Sequence, residues 1–174
     1  IYPAYKLNRA KKRKPVCLPQ IRKHLFEEHE AIVEPRLEAD DLMGIYATDP
    51  NIKGNKIIIS IDKDLKTIPG NISIDLDTVE KITKKKAKYN HALQTLCGDS
   101  VDNFPGVPGV GPVKAAQILN TKNLWSAIET SFIKAKLSKE DALLQARLAY
   151  ILQHGDYDFK SKKIKMWRPN AWNR

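Results

Sequence analysis

Three clusters of acidic residues stand out in a chain that is otherwise rich in lysine and arginine. The clusters are Glu38, Asp40 and Asp41; Asp62 and Asp64; and Asp99 and Asp102. Each follows a predicted strand or ends a predicted helix, where α/β folds place their ligands. Seven carboxylates brought together repel one another strongly unless cations lie between them. Because carboxylate oxygens suit Mg²⁺ or Mn²⁺, and because two such ions about 4 Å apart hydrolyse phosphodiesters, we predict a two-metal site of that kind.

A simpler interpretation of each cluster stays open. A single acidic pair is more often a helix cap, a turn or a solvated face, and Asp99 and Asp102 could merely cap a turn. Glu38 and Asp41 share a helix face if the helix has begun there, and Asp62 and Asp64 share a face of an extended segment. Three clusters at three element ends favour one common site over three separate caps.

A glycine- and proline-rich segment, GVPGVGPVK, follows the third cluster and resembles a helix-hairpin-helix. Its glycines allow backbone N–H groups to approach a DNA phosphate, and the dipole of the next helix adds to the attraction. Lys114 can reach the same phosphate, and such contacts recognise backbone rather than base sequence. The segment lacks Gly-Lys-Ser/Thr, and Lys114 occupies the third glycine position of GxGxxG, so neither nucleotide motif is present. An ordinary interhelical loop is the alternative.

The composition points to a polyanionic partner. Among 174 residues, 30 Lys and Arg against 20 Asp and Glu give a net charge of +10, which favours nucleic acid over a membrane surface or a ribosome. The sequence has no apolar run long enough to span a bilayer, and its start shows no signal peptide. The two cysteines, Cys17 and Cys97, form no CxxC pattern, so we expect neither a disulfide framework nor a cysteine-zinc site, but a protein of the reducing cytoplasm.

The elements that must hold these residues alternate between short apolar strands and helices. This order predicts an α/β core with a mostly parallel sheet, followed by an all-helical C-terminal section. We expect strands over 31–35, 57–61 and 67–68 with a turn at Pro69-Gly70, and helices over 19–29, 37–48, 77–96, 123–135 and 138–153, with another beginning at Pro112. The tryptophans are predicted to pack, with DNA contact by one in the basic tail as the alternative, and His91 is predicted to pack or to lie at the surface. The spacing of His24 and His29 is wrong for a zinc helix.

The motifs LEADDLMG, IISIDKDLKTIPG and LCGDSVDNFPGVPGVGPVKAAQIL, in this order, resemble the 5′-nuclease (flap endonuclease) family. The opening YPAYKLNR is similar to that family's YPxYKxNR segment, at the base of the arch through which a 5′ end passes. The likeness is closest to the bacteriophage 5′–3′ exonucleases, and the 5′-nuclease domain of bacterial DNA polymerase I is a more distant relative. It extends from Tyr2 to about Gly155.

The resemblance implies a PIN-like α/β nuclease core over 1–97, with a basic arch or clamp segment over 1–16. It implies a helix-hairpin-helix region and basic tail over 98–174 that grips duplex DNA. The implied activity is Mg²⁺- or Mn²⁺-dependent hydrolysis of DNA from 5′ ends, flaps or nicks, in replication, recombination or phage DNA metabolism. A phage-encoded protein would act in the host cytoplasm, on DNA or RNA–DNA junctions, without a membrane partner.

The resemblance also implies a role for each cluster. Glu38, Asp40 and Asp41 would serve mainly a first metal ion, Asp99 and Asp102 a second, and Asp62 and Asp64 would lie between the two.

Further roles implied by the resemblance concern the substrate. Lys6 and Arg9 would hold the scissile or neighbouring phosphate, and Lys6 would offset charge in the transition state. Tyr5 would stack on a terminal base. The hairpin residues Gly109, Gly111 and Lys114 would bind duplex phosphates, with a K⁺ held by hairpin carbonyls.

One departure from the family keeps two alternatives open. The family carries an Asp on an N-terminal strand and another before the YKxNR segment, both helping to hold the first metal, and this chain begins downstream of them at Ile1. We expect either a fragment of a longer chain or a weakened first-metal site. The alternatives are a catalytically incomplete, structure-specific DNA-binding module and RNase H-like removal of primer RNA.

Overall fold

A computed structural model describes residues 2–9 and 12–173 of the chain. Ile1, Ala10, Arg174 and Lys11 of the predicted basic arch segment lie outside the described residues. The described helices are α1 (Leu18–Glu28), α2 (Ala39–Thr48), α3 (Lys84–Cys97), α4 (Pro112–Ile118), α5 (Leu124–Lys134) and α6 (Lys139–Leu148). The described strands are β1 (Ile57–Ile59), β2 (Gly70–Ser73), β3 (Val79–Ile82), β4 (Tyr157–Asp158) and β5 (Lys163–Ile164). None of these helices is long and apolar enough to cross a membrane.

The first three strands form a small mixed sheet in the order β1-β2-β3. β1 pairs parallel to β2, and β2 pairs antiparallel to β3, so the expected mostly parallel sheet is not what the described residues form. Ile58, Ile72 and Ile82 point to the same buried core, where Leu65 and Ile68 join them. Their neighbours Ile57 and Ile59 point the other way because side chains alternate along a strand.

Three strand or helix predictions around this sheet were wrong. Residues 31–35 form no strand, and Ile32 and Val33 are exposed because no described strand pairs with them. Residues 63–67 form a 3₁₀ turn, and the second strand begins at Gly70, where a turn was expected. The predicted helix over 77–96 is divided: β3 comes first, and α3 begins only after Thr83, whose side chain accepts a hydrogen bond from Lys86 N at 3.1 Å.

The C-terminal half is built around α3, with a core shared by α3, α5 and α6. Ala92, Leu96, Ile128, Phe132 and Ala142 form this core, and each is fully buried. The helix expected from Pro112 is α4, and those expected near 123–135 and 138–153 are α5 and the shorter α6. This half is not all-helical, because β4 and β5 pair as an antiparallel hairpin after α6.

An aromatic cluster fastens the C-terminal tail to α3. The buried His91 ring lies 4.9 Å from the ring of Trp167 and 5.5 Å from that of Trp172, both edge-on. Trp172 Nε1 donates to His91 Nδ1 at 3.0 Å, and His91 Nε2 lies 2.8 Å from Ala146 O. Because Nδ1 accepts, Nε2 carries the proton and donates to that carbonyl, so the ring is neutral. Burial lowers the pKa of His91 to about 4, against the small opposing effect of the Ala146 bond.

The backbone after α3 crosses itself at two glycines. Gly98 and Gly106 both have positive φ, +68° and +62°. A Cβ at Gly106 would lie 2.3 Å from Gly98 N, and one at Gly98 would lie 2.4 Å from Phe104 O. Asp99 and Phe104 exchange backbone hydrogen bonds of 2.8 and 3.0 Å within the loop that this crossing closes. The crossing therefore fixes the third acidic cluster against the end of α3.

Gly106→Ala is expected to destabilise the fold by at least about 2 kcal/mol, because the added methyl meets backbone atoms at a left-handed φ. Urea unfolding measures the change. Gly111→Ala is the control: Gly111 has a φ of −92°, and a Cβ there meets nothing within 4 Å. We expect it to cost less than about 1 kcal/mol. Equal losses in the two variants would contradict the close crossing.

The neutral, buried His91 predicts a specific pH dependence of stability. Its pKa of about 4 in the fold lies below the ordinary 6.5, so the unfolded chain takes up the proton first as the pH falls. This contribution to the free energy of unfolding is complete above pH 6.5 and is lost towards pH 4, by roughly 3 kcal/mol. Urea unfolding between pH 4 and 7 tests it. His91→Phe should lose this part of the slope, whereas His24→Phe, at an exposed position, should keep it.

Candidate active site

The first acidic cluster lies at the start of α2, where the helix dipole favours negative charge. Glu38 is the N-cap residue, and its N–H donates to Asp41 Oδ2 at 3.3 Å. Asp41 Oδ1 also accepts from Leu152 N at 3.0 Å, which ties α2 to the chain after α6. Asp41 therefore has a structural role as well, and the Glu38 side chain completes the capping box by accepting from the backbone N–H of Asp41.

The second cluster lies in the turn that follows β1. Asp62 caps the 3₁₀ turn by accepting from Asp64 N at 2.9 Å, so the two residues do not share a face of an extended segment as predicted. Asp62 is exposed, and Asp64 is half-buried beside the anchor Leu65. Glu80 of β3 steadies this turn through Lys66 Nζ, at 2.8 Å.

The third cluster divides into a turn cap and a docking point. Asp99 Oδ1 accepts from Val101 N at 2.6 Å and from Asp102 N at 3.2 Å, so the capping interpretation holds for Asp99. Asp102 instead faces the N-terminal segment. Its carboxylate pairs with Arg9 and accepts from the Tyr5 hydroxyl at 3.2 Å.

The N-terminal segment, residues 2–9, brings its cations to the acidic residues. Lys6 N donates to Asp102 O at 2.9 Å, and Asn103 Nδ2 donates to Ala4 O at 2.6 Å, so the backbone itself is docked. Lys6 Nζ pairs with Glu38 and lies 3.7 Å from Asp102 Oδ2. One ammonium group thus joins the first cluster to the third.

The pKa shifts indicate that the three clusters act on one another. Burial, followed by the charges of Asp62 and Asp99, raises the pKa of Asp64 to about 6. Burial, followed by the charges of Asp62 and Glu38, raises the pKa of Asp40. The carboxylates of the second cluster therefore interact electrostatically with those of the other two clusters. The negative charge of the site exceeds what the protein's own cations compensate.

The cations and the phenol of the site are shifted as well. Burial alone would lower the pKa of Lys6, but its hydrogen bond to Glu38 and the Glu38 charge outweigh this effect and raise it. Burial and the Glu38 charge raise the pKa of Tyr5 to about 12. Lys6 is therefore an ammonium and Tyr5 a neutral phenol at physiological pH.

A cavity of about 350 Å³ lies among these residues. The predicted carboxylates that line it are Glu38, Asp40, Asp41, Asp64 and Asp102, whereas Asp62 and Asp99 are absent from its described lining. The described lining offers carboxylate oxygens as candidate metal ligands and contains neither cysteine nor histidine. Within residues 2–9 and 12–173, no three Asp, Glu, His or Cys side chains stand close enough to hold a metal ion as they are. In this arrangement Lys6 pairs with Glu38 and Arg9 pairs with Asp102, so these two cations neutralise part of the carboxylates' negative charge.

Some residues of this cavity were missed by the sequence analysis. Arg36, Arg147, Tyr150 and Trp167 line it together with the carboxylates. Arg36 and Arg147 are two among 30 basic residues, Tyr150 lies in the predicted helix over 138–153, and Trp167 was predicted to pack, with DNA contact by a tail tryptophan as the alternative. No motif marked them, because the fold alone brings these distant segments together.

Of the predicted hairpin residues, Gly109 and Gly111 lie in the loop between α3 and α4, and Lys114 lies in the first turn of α4; all three are apart from the cavity lining. Val107 and Val110 are buried and anchor the loop, and Gly109 and Gly111 are exposed. Lys114 Nζ lies 3.5 Å from Gly109 O. The loop thus presents backbone to solvent, and the start of α4 presents one lysine beside it.

Proteins with similar sequences are nucleases. The chain is 34% identical over 205 residues to the exonuclease of Escherichia phage T7, an alignment that covers 96% of this chain and 68% of that protein. It is 30% identical over 175 residues to flap endonuclease Xni of Shewanella woodyi, covering 87% of this chain and 67% of the relative. No protein-family model matches the chain.

A solved structure has a similar fold. The T5 D15 protein, co-crystallised with metal ions, superposes with a TM-score of 0.60 at 18% identity, covering 86% of this chain and 67% of that one. At this identity the likeness shows the fold, a mixed α/β arrangement shared with that protein.

Asp102→Ala is expected to loosen the N-terminal segment. The change removes the partner of Arg9 and Tyr5 and one neighbour of Lys6, and hydrogen bonds to charged groups are worth about 1.5–3 kcal/mol when shielded. Because Arg9 is partly exposed, we expect amide hydrogen exchange over residues 5–9 to accelerate roughly tenfold. Asp62→Ala, which removes a charge that caps a different turn, should leave this exchange unchanged. Equal protection in the two variants would show that Asp102 does not hold the segment.

Proposed function

The chain belongs to the 5′-nuclease family of 5′–3′ exonucleases and flap endonucleases, and we propose that it hydrolyses DNA phosphodiesters at 5′ ends and flaps in the carboxylate-lined cavity. One observation carries the proposal: acidic residues from three distant segments line one cavity, and Lys6 and Arg9 pair with two of them, Glu38 and Asp102, in a chain of net charge +10. The basic exterior attracts DNA, and the acidic centre needs cations before it can accept a phosphate.

The residues present fit hard divalent cations such as Mg²⁺ or Mn²⁺. The cavity offers carboxylate oxygens, the donors that these ions prefer, and burial together with mutual repulsion raises the pKa values of Asp40 and Asp64. Divalent ions would relieve that repulsion. We infer that Glu38, Asp40 and Asp41 hold one ion and Asp99 and Asp102 another, with Asp62 and Asp64 between them.

Ions bound in this way would lower the pKa of a water and stabilise the charge that develops on the phosphate and the leaving oxygen. The chain's own side chains would position the phosphate and compensate its negative charge. Lys6 and Arg9 stand at the carboxylates as ammonium and guanidinium groups, so an arriving phosphate can take their hydrogen bonds over from Glu38 and Asp102. Lys6 then offsets transition-state charge, and Tyr5, a neutral phenol on the same cavity, offers a face to a base.

The loop between α3 and α4 is proposed to grip the duplex away from the cut. Gly109 and Gly111 leave backbone exposed, and a Cβ at either would meet nothing within 4 Å, so a phosphate can approach closely. Lys114 beside Gly109 adds a cation, and a K⁺ at the loop carbonyls would add another. On this proposal the part over 98–174 grips the duplex and also contributes Asp99 and Asp102 to the cleavage site, whose other carboxylates lie in the core over 1–97.

Cleavage of a 5′-labelled flapped or nicked duplex tests the proposed function. With Mg²⁺ or Mn²⁺ we expect release of short 5′ products, and EDTA should abolish it. Asp64→Ala should lower kcat/KM roughly a thousandfold, because Asp64 is the half-buried carboxylate between the other two clusters. Asp77→Ala removes an exposed acidic residue from the turn before β3 and should cleave like the unchanged chain.

Three outcomes would contradict the proposal. Cleavage that persists in EDTA would exclude the metal ions, and equal rates in the Asp64 and Asp77 variants would exclude the cavity. Tight binding of the flap without cleavage in any divalent metal would indicate a DNA-binding module.

A further inference from the structure

Two arginine side chains line the carboxylate cavity and have no role in the hydrolysis described above. Arg36 lies just before α2, and Arg147 lies near the end of α6, so distant segments bring them to the same cavity of about 350 Å³. Arg36 is exposed and Arg147 is partly exposed. Both side chains therefore have surface that a ligand in the cavity can contact.

The C-terminal hairpin and tail hold both guanidinium groups in place. Arg36 Nη1 donates to Lys162 O at 3.2 Å, and Arg147 Nε donates to Trp167 O at 3.1 Å. These two carbonyls lie on either side of β5, and the buried Trp167 fastens this part of the chain to α3. Because a guanidinium has five N–H donors, each arginine keeps donors for a ligand after this one bond.

The two arginines are not counterions of the acidic clusters. The ion-paired carboxylates of the cavity are Glu38 and Asp102, and their partners are Lys6 and Arg9. Neither of the two arginines forms an ion pair with a carboxylate in the part of the chain that the structure describes. Two positioned positive charges consequently remain for an anion that enters the cavity.

A second cavity indicates on which side of the cut the arginines lie. It has a volume of about 220 Å³ and adjoins the first, because Asp64 and Gln94 line both. Asp99 also lines it, as does Pro112, where the proposed duplex-binding loop meets α4. After a cut from a 5′ end, the duplex remains on the 3′ side. With that duplex held at the loop, the 3′ side of the strand extends through the second cavity, and the 5′ side lies in the first.

We propose that Arg36 and Arg147 bind the phosphate on the 5′ side of the cut, which at the end of a strand is the 5′-terminal phosphate. The inference rests on the proposed function, since the carboxylates must receive the scissile phosphate that follows it. Guanidinium groups suit this ligand because their planar fork donates two parallel hydrogen bonds to phosphate oxygens.

The arginines also explain how a second phosphate can enter so acidic a cavity. The carboxylates of the lining repel it, and metal ions at the acidic clusters would compensate chiefly the scissile phosphate. Two guanidinium groups supply the positive charge that the neighbouring phosphate needs. Contacts on both phosphates would fix the register of the strand, so the chain should prefer 5′-phosphorylated ends to 5′-hydroxyl ends.

Two nicked duplexes that differ only in the terminal group at the nick test the proposal. One carries a 5′ phosphate there, and the other carries a 5′ hydroxyl. The linkages nearest this end have CH₂ in place of the bridging 3′ oxygen, which retains their charge and prevents hydrolysis. Fluorescence anisotropy of a dye on the template strand then measures both dissociation constants with Mg²⁺ present. We expect the 5′ phosphate to tighten binding roughly tenfold, as charge-assisted hydrogen bonds at a partly exposed site do.

Matched variants assign this preference to the arginine pair. Arg36→Gln and Arg147→Gln should each reduce the tenfold ratio to roughly threefold or less. Arg36 is exposed, so its variant keeps the core intact even if loss of the Arg147 bond to Trp167 disturbs the tail. Arg168→Gln removes the same charge at an exposed position outside the described lining, and it should keep the tenfold ratio. The ratio within each variant cancels any uniform loss of affinity for DNA.

The outcomes separate this inference from the proposed nuclease activity. Equal affinity of the unchanged chain for the two duplexes overturns the phosphate site even if Mg²⁺-dependent cleavage of ordinary DNA is normal. So does a preference that both Arg36→Gln and Arg147→Gln retain, or one that Arg168→Gln abolishes equally. A preference that depends on Arg36 or Arg147 and not on Arg168 supports the site even if no metal ion yields cleavage. Failure to bind either duplex overturns both proposals.

Discussion

The repulsion among carboxylates that the fold gathers into one cavity is the constraint on which the rest of the structure depends. Burial, followed by this repulsion, raises the pKa of Asp64 to about 6. Lys6 of the N-terminal segment compensates part of this negative charge, because its Nζ pairs with Glu38 and lies 3.7 Å from Asp102 Oδ2. The same ammonium therefore links the first and third acidic clusters, and in the proposed function it is the group that a phosphate would contact. A structure optimised for stability alone would not gather these charges, so their convergence itself points to cations and a polyanionic substrate.

Helix α3 is the element through which this site and the helical half are connected. Its first turns pack on the sheet through Ala87, and its last turns join the helical core through Leu96. The crossing of Gly98 and Gly106 then returns the chain against the end of the helix and holds the third acidic cluster in place. The loop proposed to grip duplex DNA follows directly. The proposed duplex-binding loop and the carboxylates of the third cluster are consequently positioned by the same helix.

The C-terminal tail completes the cavity. His91, neutral because Trp172 and Ala146 take both of its ring nitrogens, holds Trp167 at the wall beside the acidic residues. The tail had been expected to be a basic appendage with packing tryptophans. Its packing is confirmed, and Trp167 also lies on the cavity that the acidic residues line.

The sequence by itself determined the residue types of the site, the family and most helices. These predictions rest on local sequence patterns: acidic residues at element ends, Pro112 at a helix start, and motifs in a fixed order. The tertiary structure decided which carboxylates meet, that Asp62 caps a turn while Asp64 faces the cavity, and that Glu38 and Asp102 share Lys6. It also decided against a strand at 31–35, since apolar residues form a strand only where a neighbour pairs with them. Convergence of distant segments depends on packing, which local sequence patterns do not encode.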